Sequence, residues 1–121
     1  MSFGSKPAPI AAVDATGKPL AFPLAVAAAT PILGSPATMW STGKVVVSIA
    51  IARGQPQAVV QVVQNGTALD IVTVGSGGTM NAGAKYDFQT GVQGADTVNI
   101  QMDRKTQLAL LEVSFVQDLD L

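Results

Sequence analysis

The chain has neither histidine nor cysteine, so proton transfer or metal binding near neutral pH would rest on its eight carboxylates. These are Asp14, Asp70, Asp87, Asp96, Asp103, Glu112, Asp118 and Asp120. General acid–base catalysis needs carboxyl groups held in reach of one reacting centre. Calcium needs several oxygen ligands from neighbouring loops. No spacing here supplies either arrangement: only Asp118 and Asp120 are close in sequence, with Leu119 between them. A calcium site drawn from Asp87, Asp96 or Asp103 would have to be assembled by the fold. The default for these residues is a solvated charge at a strand end. Without imidazole or thiol side chains, Cys–His and Ser–His nucleophiles and ordinary zinc sites are excluded. The reading is of a non-enzymatic chain with no catalytic, cofactor-binding or metal-binding residues.

Two short motifs invite a chemical reading. Gly78 to Lys85 (GTMNAGAK) has the glycines and lysine of a phosphate-binding loop. Such a loop needs Gly and Lys adjacent, then Ser or Thr, then a helix. Here Ala84 separates Gly83 from Lys85, Tyr86 follows, and a strand pattern comes next, so Gly75 to Lys85 reads as a flexible loop. Asn65-Gly66-Thr67 matches a glycosylation sequon, but a two-residue type I′ hairpin turn demands the same Asn-Gly pair. No secretion signal accompanies it, and the turn reading is preferred.

The aromatic residues are Phe3, Phe22, Trp40, Tyr86, Phe88 and Phe115. Tyr86, Phe88 and Phe115 alternate as core residues do. Trp40 stands where a proline-rich segment meets the first strong strand. It is expected to clamp that segment to the domain, the alternative being a pocket on a neighbour.

These side chains must be positioned by strands. Residues 44–52 (KVVVSIAIA) put Val45, Val47, Ile49 and Ile51 on one face. Residues 58–64 and 67–74 flank Asn65-Gly66 as a hairpin. A two-residue turn pairs Gln64 with Thr67, Val62 with Leu69 and Val60 with Ile71, leaving Gln61 and Asp70 on the more polar face. Lys85 to Gln89, Asp96 to Met102 and Gln107 to Gln117 complete six strands. In the last of these Leu111, Val113 and Phe115 point inward and Glu112 and Ser114 outward. The expected fold is all-β: a small antiparallel sandwich, jelly-roll or immunoglobulin-like.

The first 40 residues differ. Six of the seven prolines fall among the first 36 residues, which excludes a central strand or a long helix. The segment is nevertheless apolar, with Ile10, Val13, Leu20, Phe22, Leu24, Val26, Ile32 and Leu33. The organisation expected is an extended arm, 1–40, followed by a sandwich domain, 41–121. Leu24 to Thr30 is either a short helix or an edge strand, and the arm either adds strands to its own domain or crosses to a neighbour. Exchange between subunits is favoured, so deleting residues 1–39 is expected to leave a folded domain that no longer assembles.

Composition sets the partners. Apolar residues make up 48% of the chain and charged residues 12%, against about 25% charged in an average soluble domain. A monomer this poor in charge exposes apolar surface, so a homo-oligomer is expected. Net charge is −1, and of the seven basic residues only Arg104 and Lys105 are adjacent, which excludes a phosphate-tracking groove and hence nucleic acid. The apolar run from Leu20 to Ala29 is too short to span a bilayer, so no membrane partner is expected.

An Ala/Pro-rich arm leading through Thr38-Met39-Trp40 into KVVVSIAIA, then Tyr86-Asp87-Phe88, GADTVNIQMD (94–103) and LEVSFV (111–116), resembles small virion proteins of tailed bacteriophages, of the head-decoration or minor-capsid type. The resemblance implies a homo-oligomer, commonly a trimer, that is made in the host cytoplasm and cements the major capsid protein or other virion proteins. It carries over no functional residue. A carbohydrate- or receptor-binding β-module for host adhesion, with the Gly75–Lys85 loop as its binding edge, is the alternative.

Overall fold

A computed structural model describes residues 8–118. Nine strands are present: β1 (Ala8–Ile10), β2 (Leu24–Val26), β3 (Ala37–Thr38), β4 (Gly43–Ile51), β5 (Gln55–Gln64), β6 (Thr67–Met80), β7 (Lys85–Val92), β8 (Thr97–Met102) and β9 (Thr106–Gln117). They form two antiparallel sheets. In the first, β9 lies beside β4 and β4 beside β7, while β1 and β2 line the outer edge of β9 end to end. In the second the order is β3-β8-β5-β6. From β2 onward every connection changes sheet except the β5–β6 hairpin. That order and alternation are a jelly roll and not an immunoglobulin sandwich.

The core follows from alternation. Val45, Val47, Ile49 and Ile51 of β4 are buried against Val60, Val62, Ile100 and Met102 of the facing sheet. In β9 a bulge at Ala109 resets the period, because Ala50 pairs with Leu110 while Ile51 pairs with Leu108. Leu108 and Leu111 therefore both face inward, followed by Val113 and Phe115. Tyr86 and Phe88 of β7 lie opposite Ile49 and Val47 and pack half-buried on the same core.

The Asn-Gly hairpin forms as its sequence requires. Asn65 and Gly66 both have positive φ, at 52° and 83°. Gln64–Thr67, Val62–Leu69 and Gln61–Asp70 are paired, as the two-residue turn dictates. The next expected pair, Val60 with Ile71, is not formed. A bulge at Ile71 puts Val72 opposite Val60. Leu69 shares the face of Val62 but is 41% exposed, because β6 is the last strand of its sheet and has no strand beyond it to cover the side chain.

The loop expected over Gly75 to Lys85 is largely strand. β6 rejoins the ladder at Thr79 and Met80, opposite Pro56 and Gln55, and only residues 81–84 connect it to β7. Between Val74 and Thr79 four residues stand opposite the single Gln57, a wide bulge in place of a loop. Gly75 and Gly78 take φ of 78° and 97° there, conformations that L side chains resist.

The arm folds back onto its own chain. Of the two readings for Leu24 to Thr30 the edge strand holds, over Leu24–Val26, and residues 8–40 contribute three short strands. Val26, Ile32, Leu33 and Met39 belong to the same buried cluster as β4 and β9, so the boundary at residue 40 does not separate two packing units. Along β8 the backbone of Ala29 and Ile32 donates to the carbonyls of Met102 and Ile100, at 2.7 and 2.8 Å. Asn99 points to the outer side of β8, yet it is buried: its Oδ1 accepts from Leu33 N and its Nδ2 donates to Leu33 O, each at 2.9 Å.

Candidate functional site

Asp96 is the most heavily bonded carboxylate at one end of the sandwich. Its Oδ1 accepts from Asn65 Nδ2 at 3.0 Å, and its Oδ2 accepts from Gln64 Nε2 and Gln93 N, each at 2.8 Å. The Asn65 amide donating to it is the largest of the influences that hold its pKa below the usual carboxylate range; the Gln93 and Gln64 donors act in the same direction. Asn65 is fixed in turn, because its Oδ1 accepts from Thr97 N at 2.9 Å. The turn between β5 and β6 is thereby latched to the start of β8.

Next to this latch is an open cleft of about 480 Å³. Its walls are strand ends: Thr42 and Gly43 at the start of β4, Gln64 at the end of β5, Gly91–Gln93 at the end of β7, Asp96 before β8 and Asp118 after β9. The backbone of Asp118 donates to Thr42 O at 2.9 Å and closes one side. The lining mixes carboxylates, amides and a hydroxyl with the bare backbone of two glycines.

Trp40 sits two residues before this wall. Its ring meets Phe115 edge to face, with centroids 4.5 Å apart and an interplanar angle of 71°. Phe115 is buried, and its ring lies so close to Gly43 that a Cβ there would come within 2.9 Å of it. Trp40 seals this end of the core, as a clamp should, yet it remains 59% exposed. Phe115 holds the indole on one side, and more than half of the side chain faces solvent.

The other carboxylates are dispersed. Asp14 accepts from Thr16 Oγ1 and from the backbone of Thr16 and Lys18 within its own loop, and the Thr16 hydroxyl is the main cause of its lowered pKa. Asp70 accepts from Gln61 at 2.8 Å, and Gln61 accepts from Gln101 at 2.8 Å, an amide ladder across the outer face of β6, β5 and β8. Asp103 accepts from Val59 N at 2.7 Å and so pins the end of the β5–β8 register. Asp87 and Glu112 are exposed on β7 and β9 and flank Ser48 on its two neighbouring strands. Asp120 and Phe3 lie outside the described residues. Asp87, Asp96 and Asp103 are not brought together, and among the described residues no cluster of three or more metal-ligating side chains occurs. Also among the described residues, no helix is long and apolar enough to cross a membrane, and no buried side-chain polar atom lacks a hydrogen-bond partner.

Sequence reasoning singled out Asp96, as a calcium candidate, and Trp40, as a clamp. It gave no reason to group them with Thr42, Gln64, Gly91 and Gln93. These residues are distant in sequence and meet only because five strands end at the same level. The signal within reach was the repeated position of polar residues at strand ends, at Gln64, Gln93 and Asp96. Comparison of the chain with protein-family models, with curated proteins and with solved structures finds no match.

Proposed function

We propose that the chain is a non-enzymatic structural protein of a virion, of the capsid-decoration or minor-capsid type, which assembles as a homo-oligomer and stabilises the particle by joining neighbouring subunits. Jelly rolls serve in viral capsids and in lectins alike, so the argument rests on the surface and not on the fold. The observation that carries it is the charge-free face built by the arm. From Pro19 to Gly43 no residue is charged. Ala21, Pro23, Ala25 and residues 27–31 are exposed along this stretch. Beside them is a groove of about 250 Å³ with Leu20, Leu24 and Ile32 in its walls.

Such a surface is suited to contact with another protein. Alanine and proline have almost no side-chain rotamer entropy to lose. None of these residues brings a charge that has to be desolvated when they are covered. Continuous apolar surface of this kind marks interfaces on soluble proteins. Light scattering on a sizing column tests the reading: an oligomer is expected at micromolar concentration. Ala28→Glu, on the exposed face, is expected to dissociate it without lowering the melting temperature. A monomeric wild type, or an Ala28→Glu variant that assembles unchanged, overturns the assembly reading. Electron microscopy of particles carrying a labelled copy tests the placement on a capsid.

A further inference from the structure

We infer that the cleft at the Trp40 end of the sandwich is a binding site for a neutral oligosaccharide. The inference is independent of the assembly reading, since it concerns a different surface and a different partner.

Four observations carry it. The first is the exposed indole. A tryptophan packed on a buried phenylalanine is held in place while 59% of its surface stays exposed. A fixed, exposed aromatic face is what the C–H face of a pyranose ring packs on, by dispersion and weak C–H contacts. The second is position. Phe115, which supports Trp40, lies against Gly43 in the cleft wall, and Trp40 is three residues before Gly43, at most about 11 Å of extended chain. A chain of two or three sugars reaches across that distance.

The third is the hydrogen-bonding capacity of the lining. The Asp96 carboxylate has about four acceptor positions. Protein donors fill three of them, one on Oδ1 and two on Oδ2, so a position on Oδ1 remains. The Thr42 hydroxyl and the Gln93 side-chain amide make no hydrogen bond among the described residues. Acceptors, donors and a hydroxyl interleaved in one open cleft match a ligand whose groups both donate and accept at every carbon. The two carboxylates, Asp96 and Asp118, disfavour uronic and sialic acids, which is why the ligand is neutral.

The fourth is Gly91. It lies inside β7, where glycine weakens a strand. Its φ is not in the left-handed region, and a Cβ placed on it would meet nothing within 4 Å. The fold therefore does not require glycine there. Glycine within a strand often marks the close approach of a ligand, and Gly91 lines the cleft with open space beside it.

Trp40 is the only tryptophan in the chain, so its emission reports directly on the site. The full chain is titrated with cellotriose, maltotriose and tri-N-acetylchitotriose, with trigalacturonate as the acidic control, and is applied to a printed array of neutral glycans. A saturable change in Trp40 emission is expected with a neutral oligosaccharide at millimolar or lower concentration, and none with trigalacturonate. Gly91→Val is expected to weaken that binding at least tenfold with the melting temperature unchanged. Gln93→Ala, which keeps the backbone donor to Asp96, is expected to weaken it several-fold and serves should the valine disturb β7. A flat titration together with a blank array overturns the inference. So does binding of trigalacturonate as strong as that of the neutral sugars, or full affinity in both variants.

Discussion

Asp96 holds three donors from two separate segments, the β5–β6 turn and the end of β7, and the consequence is a stability that depends on its charge. Hydrogen bonds to the ionised form lower its pKa in the folded protein. A carboxylate whose folded pKa is depressed adds stability above its unfolded pKa and loses it as pH falls through the folded value. Asp14, held by Thr16 and Lys18, acts with the same sign. The wild type should therefore lose stability on acidification below the usual carboxylate range. Asp96→Asn should melt lower at neutral pH, since a neutral amide cannot serve all three donors, and the gap to wild type should narrow as pH drops. Melting curves of both proteins between about pH 2 and 7 check this; a gap that stays constant would show that the latch does not depend on charge. Asn99 is the uncharged counterpart. Asn99→Ala leaves the N–H and C=O of Leu33 without partners at a buried site, which should cost about 2 kcal/mol or more in urea unfolding.

Among the strands, legibility followed periodicity. β4, β5, β8 and the part of β9 from Leu111 onward alternate, and a period of two has only one assignment when one face is buried. Val62→Asp should abolish folding, because an unpaired carboxylate would sit at a position with no solvent exposure. Gln61→Thr, one residue away on the outer face, should cost about 1 kcal/mol, the worth of an amide ladder rung. If circular dichroism melts show the two variants equally damaged, the register is wrong. What was not legible depended on partners remote in sequence. The glycines of Gly75–Gly78 read as a loop, since nothing local shows that the backbone rejoins β5 at Thr79. The arm read as a separable extension because its prolines forbid a central strand. They do not forbid short edge strands, and β1, β2 and β3 are three or fewer residues each. The cleft was illegible for the same reason, as its residues come from the ends of five strands. The structure also changes the expected result of deleting residues 1–39. Val26, Ile32, Leu33 and Met39 are each buried, at about 1.5–3 kcal/mol apiece, a total comparable with the whole stability of a small domain. Without them the edges of β8 and β9 are bare. The truncated chain should lack a cooperative melt, and a folded, cooperatively melting product would return the boundary to residue 40.

At the scale of the molecule, the two ends of the sandwich edge have different characters. The arm is free of charge from Pro19 to Met39, its exposed stretch lying beside the start of β9, while the exposed indole and the polar cleft lie where β5, β7 and β9 finish. Assembly and ligand binding are thus assigned to separate surfaces. Raising salt to about 1 M, which screens exposed charges, should leave the oligomer intact by light scattering, because the exposed residues of this stretch carry no charge. Dissociation in high salt would locate the contacts elsewhere. The pairing of the arm has one more consequence, for synthesis. Ala8 is hydrogen-bond neighbour to Phe115 and Leu24 to Leu108, so the first and last strands of the described chain are partners. A nascent chain emerges from its N-terminus, and the arm must wait, unpaired, until β9 has left the ribosome. Pairing between such distant segments also slows folding. During that interval β4, β5 and β6 are available while the arm is not. A chain released before β9 would expose the edge of β4 that β9 normally covers, an open template for aggregation, so β9 decides whether a translated copy becomes a soluble subunit or a precipitate.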